Sequence, residues 1–196
     1  MSLADGSQTP RPLATSSAPE APAAPHATGA PDTHAFDDLL AANRAFAETF
    51  ALSGFDGVAH AGVAVVTCMD SRIDPLGMLG LVPGDAKIFR NPGGRVTEAA
   101  LEAIVLGVHL LGVKRVLVVP HTRCAMSTHT EAELREQVGA SAGQDASWQS
   151  FNVIDDQRES LLADLAKLRS HPLIPDGVAI GGFLYDVDTG LLEPVG

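Results

Sequence analysis

The chain contains only two cysteines, and each lies in a short polar motif: C-M-D-S-R over residues 68–72 and H-T-R-C over residues 121–124. Cys68, His121 and Cys124 together offer two thiolates and one imidazole, a donor set that suits zinc and leaves one coordination position open. An open position is typical of a catalytic metal, because water bound there ionises near neutral pH. We therefore predict one Zn²⁺ per chain. The two cysteines could instead be ordinary buried apolar side chains, or a disulfide in an exported protein.

Asp70 and Arg72 are two positions apart and share one face of the chain if it is extended there. A guanidinium can hold a carboxylate through two parallel hydrogen bonds, which would keep Asp70 ionised and aim one oxygen at the water on the metal. Without Arg72, Asp70 could turn onto the metal and close the site as a fourth ligand. An ordinary surface ion pair is the alternative interpretation of the two residues.

Both motifs directly follow apolar runs, residues 62–67 and 115–119, which we predict to be buried β-strands. In open α/β sheets, ligand sites form at the carboxyl ends of such strands. Between the motifs, the loop N-P-G-G at residues 91–94 has two glycines that allow positive φ and close approach of the backbone.

The remaining pattern predicts an α/β fold, with a mostly parallel central sheet flanked by helices and an antiparallel strand added at the C-terminus. Apolar spacing and capping residues predict further strands at 86–90 and 178–185, a hairpin turn at 188–190 with a short last strand, and helices at 34–50, 98–111, 130–138 and 153–169.

Composition divides the chain into residues 1–31, an Ala/Pro/Ser/Thr-rich tail predicted to be disordered, and residues 32–196, predicted to be a single zinc-binding α/β catalytic domain. The net charge of −11 argues against nucleic acid and anionic membranes as partners. No apolar run is long enough to span a bilayer, and no secretory signal is evident. A reducing, cytoplasmic location is the resulting expectation.

Three motifs in this order, C-x-D-x-R, N-P-G-G and H-x-x-C, resemble those of the β-class carbonic anhydrases. The resemblance covers residues 34–194 and implies a zinc lyase that interconverts carbon dioxide and bicarbonate by attack of hydroxide at the metal. It also implies a homodimer or homotetramer, with active clefts at the subunit interface and the N-terminal helix lying across the neighbour. The residues that match the family's ligands and its Asp–Arg dyad are Cys68, His121, Cys124, Asp70 and Arg72.

Other positions carry weaker expectations. The backbone N–H groups of Gly93 and Gly94 could bind the substrate oxygens, although a tight turn alone would explain both glycines. Ala125 stands where the family commonly has glycine. Arg123 stands where related sequences often have a small or acidic residue, and Pro92 where a small residue is usual.

Two alternative functions use the same ligands. The first is hydrolysis of carbonyl sulfide or carbon disulfide, which differs from carbon dioxide hydration only in the shape and access of the pocket. The second is a non-catalytic, bicarbonate-sensing dimer in which Asp70 is permanently the fourth ligand of zinc. A cysteine phosphatase is excluded, because the sixth residue after Cys68 is Asp74 rather than an arginine.

Overall fold

The computed structural model describes residues 34–196, so the predicted tail, residues 1–31, lies outside the described residues. Five strands form one sheet in the order β2-β1-β3-β4-β5. Strands β1 to β4 are parallel, and β5 pairs antiparallel with β4, so the predicted fold class is confirmed. The strands are β1 (Val63–Cys68), β2 (Ala86–Asn91), β3 (Arg115–Val119), β4 (Ala179–Tyr185) and β5 (Leu192–Pro194).

Four α-helices connect or flank these strands: α1 (Asp37–Glu48), α2 (Glu98–Leu110), α3 (Glu131–Ala142) and α4 (Gln157–Arg169). Helix α3 extends beyond the predicted end near residue 138 and ends at Gly143, which has a left-handed φ of 62°. Helix α4 begins later than predicted, because the Asp156 side chain accepts a hydrogen bond from the Glu159 N–H and caps the helix.

The main core lies between α2, α4 and one face of the sheet. Its aliphatic side chains belong to alternate strand positions and to the inward helix faces, and include Val66, Val116, Val118, Leu101, Ile104 and Leu165. Burial of each large aliphatic side chain contributes about 1.5–3 kcal/mol. This core fixes β1 and β3 side by side, and their carboxyl ends carry the two polar motifs.

The opposite face of the sheet is less well covered. An apolar cavity of ≈ 330 Å³ lies against β3 and β4, lined by Leu117, Gly181 and Phe183 among others. Helix α1 buries none of its residues, and its apolar side chains are exposed. No helix within residues 34–196 has the length and apolarity needed to cross a membrane.

Candidate metal centre

The three predicted ligands come together at the carboxyl edge of the sheet. Cys68 is the last residue of β1, and His121 and Cys124 lie in the turn after β3, the neighbouring strand. All three side chains are buried, and their ligand atoms lie within 4.8 Å of one another. The two Sγ atoms are 3.9 Å apart. This group could hold one metal ion.

The histidine is prepared for a metal. His121 Nδ1 lies 2.8 Å from the Thr122 carbonyl oxygen and donates to it, which leaves the lone pair on Nε2. Nε2 is buried and has no hydrogen-bond partner among the described residues. An unsatisfied buried polar atom costs about 1–3 kcal/mol, and a cation bound there would remove that cost. Two sulfurs and one nitrogen are the donors of zinc sites rather than of calcium or magnesium sites.

The two thiols influence each other. The hydrogen bond from Cys124 lowers the pKa of Cys68, and the same contact raises the pKa of Cys124, because two adjacent thiolates would repel each other. The Gly93 N–H also points at the Cys68 sulfur, with an N–Sγ distance of 3.4 Å. A divalent cation would stabilise both thiolates at once, which is the electrostatic arrangement of a metal site.

Asp70 lies beside the ligands and is held by Arg72. Arg72 Nε donates to Oδ1 at 2.9 Å and Nη2 donates to Oδ2 at 2.7 Å, so the pair is bidentate as predicted. This contact with Arg72 holds the pKa of Asp70 well below its usual range. Asp70 Oδ2 is also 3.8 Å from His121 Nε2, which places this oxygen next to the ligand cluster.

The N-P-G-G loop packs directly against the first ligand. Gly94 has a φ of +67°, and a Cβ there would lie 2.9 Å from the Cys68 nitrogen and 3.0 Å from the Thr67 carbonyl carbon. Only glycine fits this approach without displacement of the backbone. The Gly93 N–H donates to Cys68 Sγ, and the contact of either glycine with substrate oxygens stays a prediction.

Arg90, at the end of β2, is a site residue that the sequence analysis did not identify. Its Nε donates to the Cys68 carbonyl at 2.9 Å and its Nη2 donates to the Asp70 carbonyl at 2.6 Å. These bonds fix the backbone between the ligand and the carboxylate. The only signal in the sequence was a charged residue at the end of a strand beside the metal strand.

The turn that carries His121 and Cys124 is held by the hairpin between β4 and β5. The Thr122 N–H donates to the Tyr185 carbonyl at 2.9 Å, and Arg123 forms an ion pair with Asp188. Arg123 has a φ of 55°, a left-handed conformation that is uncommon outside glycine. Arg123, which departs from the residues common at this position in related sequences, is therefore paired with Asp188 of the hairpin.

The comparisons with known proteins agree with this site. The model of the carbonic anhydrase family matches residues 63–192. Beta-carbonic anhydrase 1 of Mycobacterium tuberculosis is 31% identical over 166 residues, which cover 81% of this chain and 96% of that protein. A carbon disulfide hydrolase of Acidianus sp. (strain A1-3) is 32% identical over 152 residues, or 66% of this chain and 74% of that protein. The crystal structure of a carbonic anhydrase from Streptococcus mutans superposes with a TM-score of 0.75 and 40% identity, covering 82% of this chain and 97% of that one. The chain belongs to the β-carbonic anhydrase family.

Proposed function

We propose that this protein is a zinc-dependent carbonic anhydrase, which catalyses the reversible hydration of carbon dioxide to bicarbonate and a proton. The observation that carries the proposal is the convergence of Cys68, His121 and Cys124 at the carboxyl edge of the sheet, with the His121 Nε2 lone pair unpartnered. The names of the relatives from M. tuberculosis and S. mutans support the same activity.

The two cysteines and the histidine would hold the ion. Zinc in a site with three protein ligands lowers the pKa of water towards neutrality and thereby supplies hydroxide as the nucleophile. The protein contributes the fixed ligand positions, and the buried surroundings strengthen electrostatic interactions inside the site.

Asp70 is the residue to which we assign the hydrogen bond from the attacking water. Its Oδ1 accepts from both the backbone N–H and the Nε–H of Arg72, whereas its Oδ2 accepts only from Nη2. Oδ2, which faces His121, therefore retains acceptor capacity. Because Arg72 keeps the carboxylate ionised, Asp70 can accept this hydrogen bond over the whole neutral pH range. Arg72 is proposed to act through Asp70.

The loop glycines complete the proposed site. Gly93 and Gly94 bring the backbone of the loop within contact of Cys68. The N–H of Gly93 is directed at sulfur, so we assign Gly93 to the support of the ligand and leave the contact with substrate oxygens to Gly94. This division is tested by whether substitution at Gly94 changes the KM for carbon dioxide.

A closed site, in which Asp70 is the fourth ligand, is the non-catalytic alternative. Three hydrogen bonds from Arg72 on one carboxylate favour the open arrangement, because Asp70 would have to give up at least part of this contact to reach a metal. A closed, bicarbonate-sensing protein predicts no hydration activity and no effect of Arg72→Gln on it. The open site predicts a loss of turnover in that variant.

Hydrolysis of carbonyl sulfide or carbon disulfide is the second candidate function. The 32% identity to a carbon disulfide hydrolase supports it, over a shorter aligned region than the carbonic anhydrase of M. tuberculosis. Both reactions can use the same ligands, so the substrate must be decided by assay.

We further propose that the chain forms a homodimer or a homotetramer and works in the cytoplasm. Helix α1 has no buried residue, and the sheet face at Leu117 and Phe183 retains an apolar cavity, so each offers apolar surface to a second copy. Both cysteines are free thiols, which a reducing compartment would preserve for metal binding.

The deciding experiment is stopped-flow hydration of carbon dioxide by purified protein with its zinc content measured, at neutral and at mildly alkaline pH. We expect about one zinc per chain and faster hydration at the higher pH, because more of the nucleophile is ionised. Full zinc content without hydration at either pH would contradict the proposal, and the same sample would then be assayed with carbonyl sulfide and carbon disulfide.

A further inference from the structure

Asp164 of helix α4 is the only acidic side chain among the buried residues of the described chain. Its carboxylate accepts three hydrogen bonds from one short segment: Arg95 Nε at 2.7 Å, Arg95 Nη2 at 3.2 Å and the Val96 backbone N–H at 3.0 Å. The Asp164 side chain is only 7% exposed, whereas its neighbours on the inward face of α4 are leucines.

A buried ion pair is a poor device for stability, since apolar side chains of similar volume often do as well or better. What the pair does supply is a defined geometry, because two parallel hydrogen bonds fix the position and the plane of the guanidinium. The Asp164–Arg95 pair therefore fixes the position of the chain around Arg95.

Arg95 and Val96 are the end of the loop that supports the metal ligand. Asn91 closes this loop on itself: its Oδ1 accepts from the Arg95 N–H at 2.8 Å, and its Nδ2 donates to the Arg95 carbonyl at 2.7 Å. Between these ends, the Gly93 N–H donates to Cys68 Sγ, and Gly94 packs on the backbone of Cys68. A shift of the loop would therefore change the hydrogen bond to the Cys68 sulfur directly.

We propose that Asp164 is a positioning residue for the metal centre: through Arg95 and Val96 it fixes the loop of residues 91–96 so that the Gly93 N–H donates to the sulfur of Cys68. The proposal rests on the metal centre of the proposed function and adds a residue from a helix that contributes no ligand. An N–H donated to a ligating thiolate withdraws charge from sulfur and orients it, and such outer contacts change metal affinity and reactivity.

The test is the rate at which zinc-loaded protein loses its metal to an excess of a chromogenic chelator at fixed pH. In Asp164→Asn, the amide oxygen can replace only one of the two carboxylate oxygens, and the NH₂ group cannot accept the second hydrogen bond from Arg95. The charged bidentate contact is therefore lost, and we expect zinc release about three- to tenfold faster than in the wild type, below the 10- to 100-fold range typical of direct partners of ligands. Cobalt substitution gives a second readout, since a displaced N–H should shift the thiolate-to-cobalt absorption bands.

Two control variants separate positioning from general destabilisation. Leu165→Ala opens the core beside Asp164 but removes none of the hydrogen bonds between Asp164 and the loop, and Glu193→Gln breaks the exposed pair between Arg158 of α4 and Glu193 of β5. We expect both to release zinc at close to the wild-type rate and to keep the cobalt spectrum. Arg95→Lys keeps the charge but loses the bidentate contact, and should give a smaller acceleration than Asp164→Asn.

Zinc release from Asp164→Asn at the wild-type rate, or no faster than from Leu165→Ala, would overturn the proposal. If Asp164→Asn does not fold, the comparison of Arg95→Lys with Leu165→Ala decides in the same way. Because zinc release is measured without substrate, wild-type protein that holds zinc but does not hydrate carbon dioxide would contradict the proposed function alone, and the release rates would still decide the role of Asp164.

Discussion

At the scale of single residues, the surroundings of a carboxylate distinguish a site residue from an ordinary ion pair. Asp70 and Asp188 both pair with an arginine near the metal turn. Asp70 is 19% exposed and lies 3.8 Å from His121, whereas Asp188 is 63% exposed and belongs to the hairpin turn. The two residues therefore provide a matched pair of substitutions.

Asp70→Asn should retain zinc and lose turnover by about 10²-fold, because the carboxylate that accepts the hydrogen bond of the attacking water and orients it is lost, and misplacement of a reacting group can cost about that much. Asp188→Asn is the control and should keep most of the activity. The measurement is kcat for carbon dioxide hydration, with the zinc content of each variant determined on the same sample. Full turnover in Asp70→Asn would contradict the role assigned to Asp70.

Gly94→Ala should destabilise the protein and weaken zinc binding, because its Cβ would lie 2.9 Å from the nitrogen of the ligand Cys68. Gly80→Ala is the matched control: its φ of +65° is nearly the same, but nothing lies within 4 Å of the added Cβ. Both should lose about 1–2 kcal/mol to the left-handed backbone. Only Gly94→Ala should lose more than this in urea unfolding and release zinc faster. Equal losses in the two variants would show that the close approach has no energetic consequence.

At the scale of elements, caps decide where helices begin. In α3, the Thr130 hydroxyl accepts from the Glu133 N–H, and the Glu133 carboxylate accepts from the Thr130 N–H. The Thr130 backbone N–H lowers the pKa of Glu133 below its ordinary value. A depressed folded-state pKa means that the carboxylate stabilises the folded chain fully above its unfolded pKa of about 4.3, and that this contribution is lost progressively as the pH falls from there through the lower folded-state pKa.

Glu133→Gln should therefore lower the urea midpoint at pH 7 and have a smaller effect at pH 4, where the wild-type carboxylate begins to lose its advantage. The effect at pH 7 should be modest, since the side chain lies at the surface. Glu136→Gln, on the same helix and outside the cap, is the control and should show no such pH dependence. An equal shift of the midpoint at both pH values would contradict the cap as its origin.

The sequence predicts the limits of strands and helices only where a local pattern marks them. The limits of β1 and β3 were predicted to within a residue, because unbroken apolar runs between polar motifs leave little choice. Helix α3 was predicted four residues too short, since residues 139–142 are small and lack an apolar stripe. Thr130 nevertheless predicted its start, because a capping box is a local pattern.

For the site residues too, local patterns could be predicted and long-range contacts could not. Cys68, His121 and Cys124 could be predicted because their types restrict the chemistry, and Asp70 and Arg72 because the two stand next to a ligand. Arg90 and Asp164 could not be predicted, since both act on residues that are distant in sequence or on backbone atoms. A buried aspartate within an otherwise ordinary helix shows no pattern before the tertiary contacts are known.

At the scale of the whole molecule, the exposed apolar side of α1 predicts association. Phe46 of α1 and Phe50, just after the end of that helix, are 61% and 48% exposed, and their ring centres are 5.7 Å apart. Burial of an aromatic side chain contributes about 1.5–3 kcal/mol, so a pair of them can determine whether two copies stay together.

The double variant Phe46→Ser/Phe50→Ser should weaken self-association by at least about a hundredfold, which corresponds to the loss of two such burials. Light scattering after size exclusion, over a range of protein concentrations, measures this change. Trp148→Ser removes an aromatic side chain that is 78% exposed but lies outside α1, and should leave the mass unchanged. A wild-type protein that is monomeric at micromolar concentration would contradict the proposal of a homodimer or homotetramer.

The origin of the ligands in two neighbouring strands has a consequence for the order of events during folding. Cys68 and Cys124 are 56 positions apart, and β2, α2 and β3 lie between them. Of the three ligands, only His121 and Cys124 are therefore close together in an unfolded chain. A full-affinity site arises only after the crossover from β2 through α2 has placed β3 beside β1. The rate of metal uptake during refolding therefore reports the rate at which β1 and β3 pair. A chain refolded without zinc should form its sheet before it binds the metal.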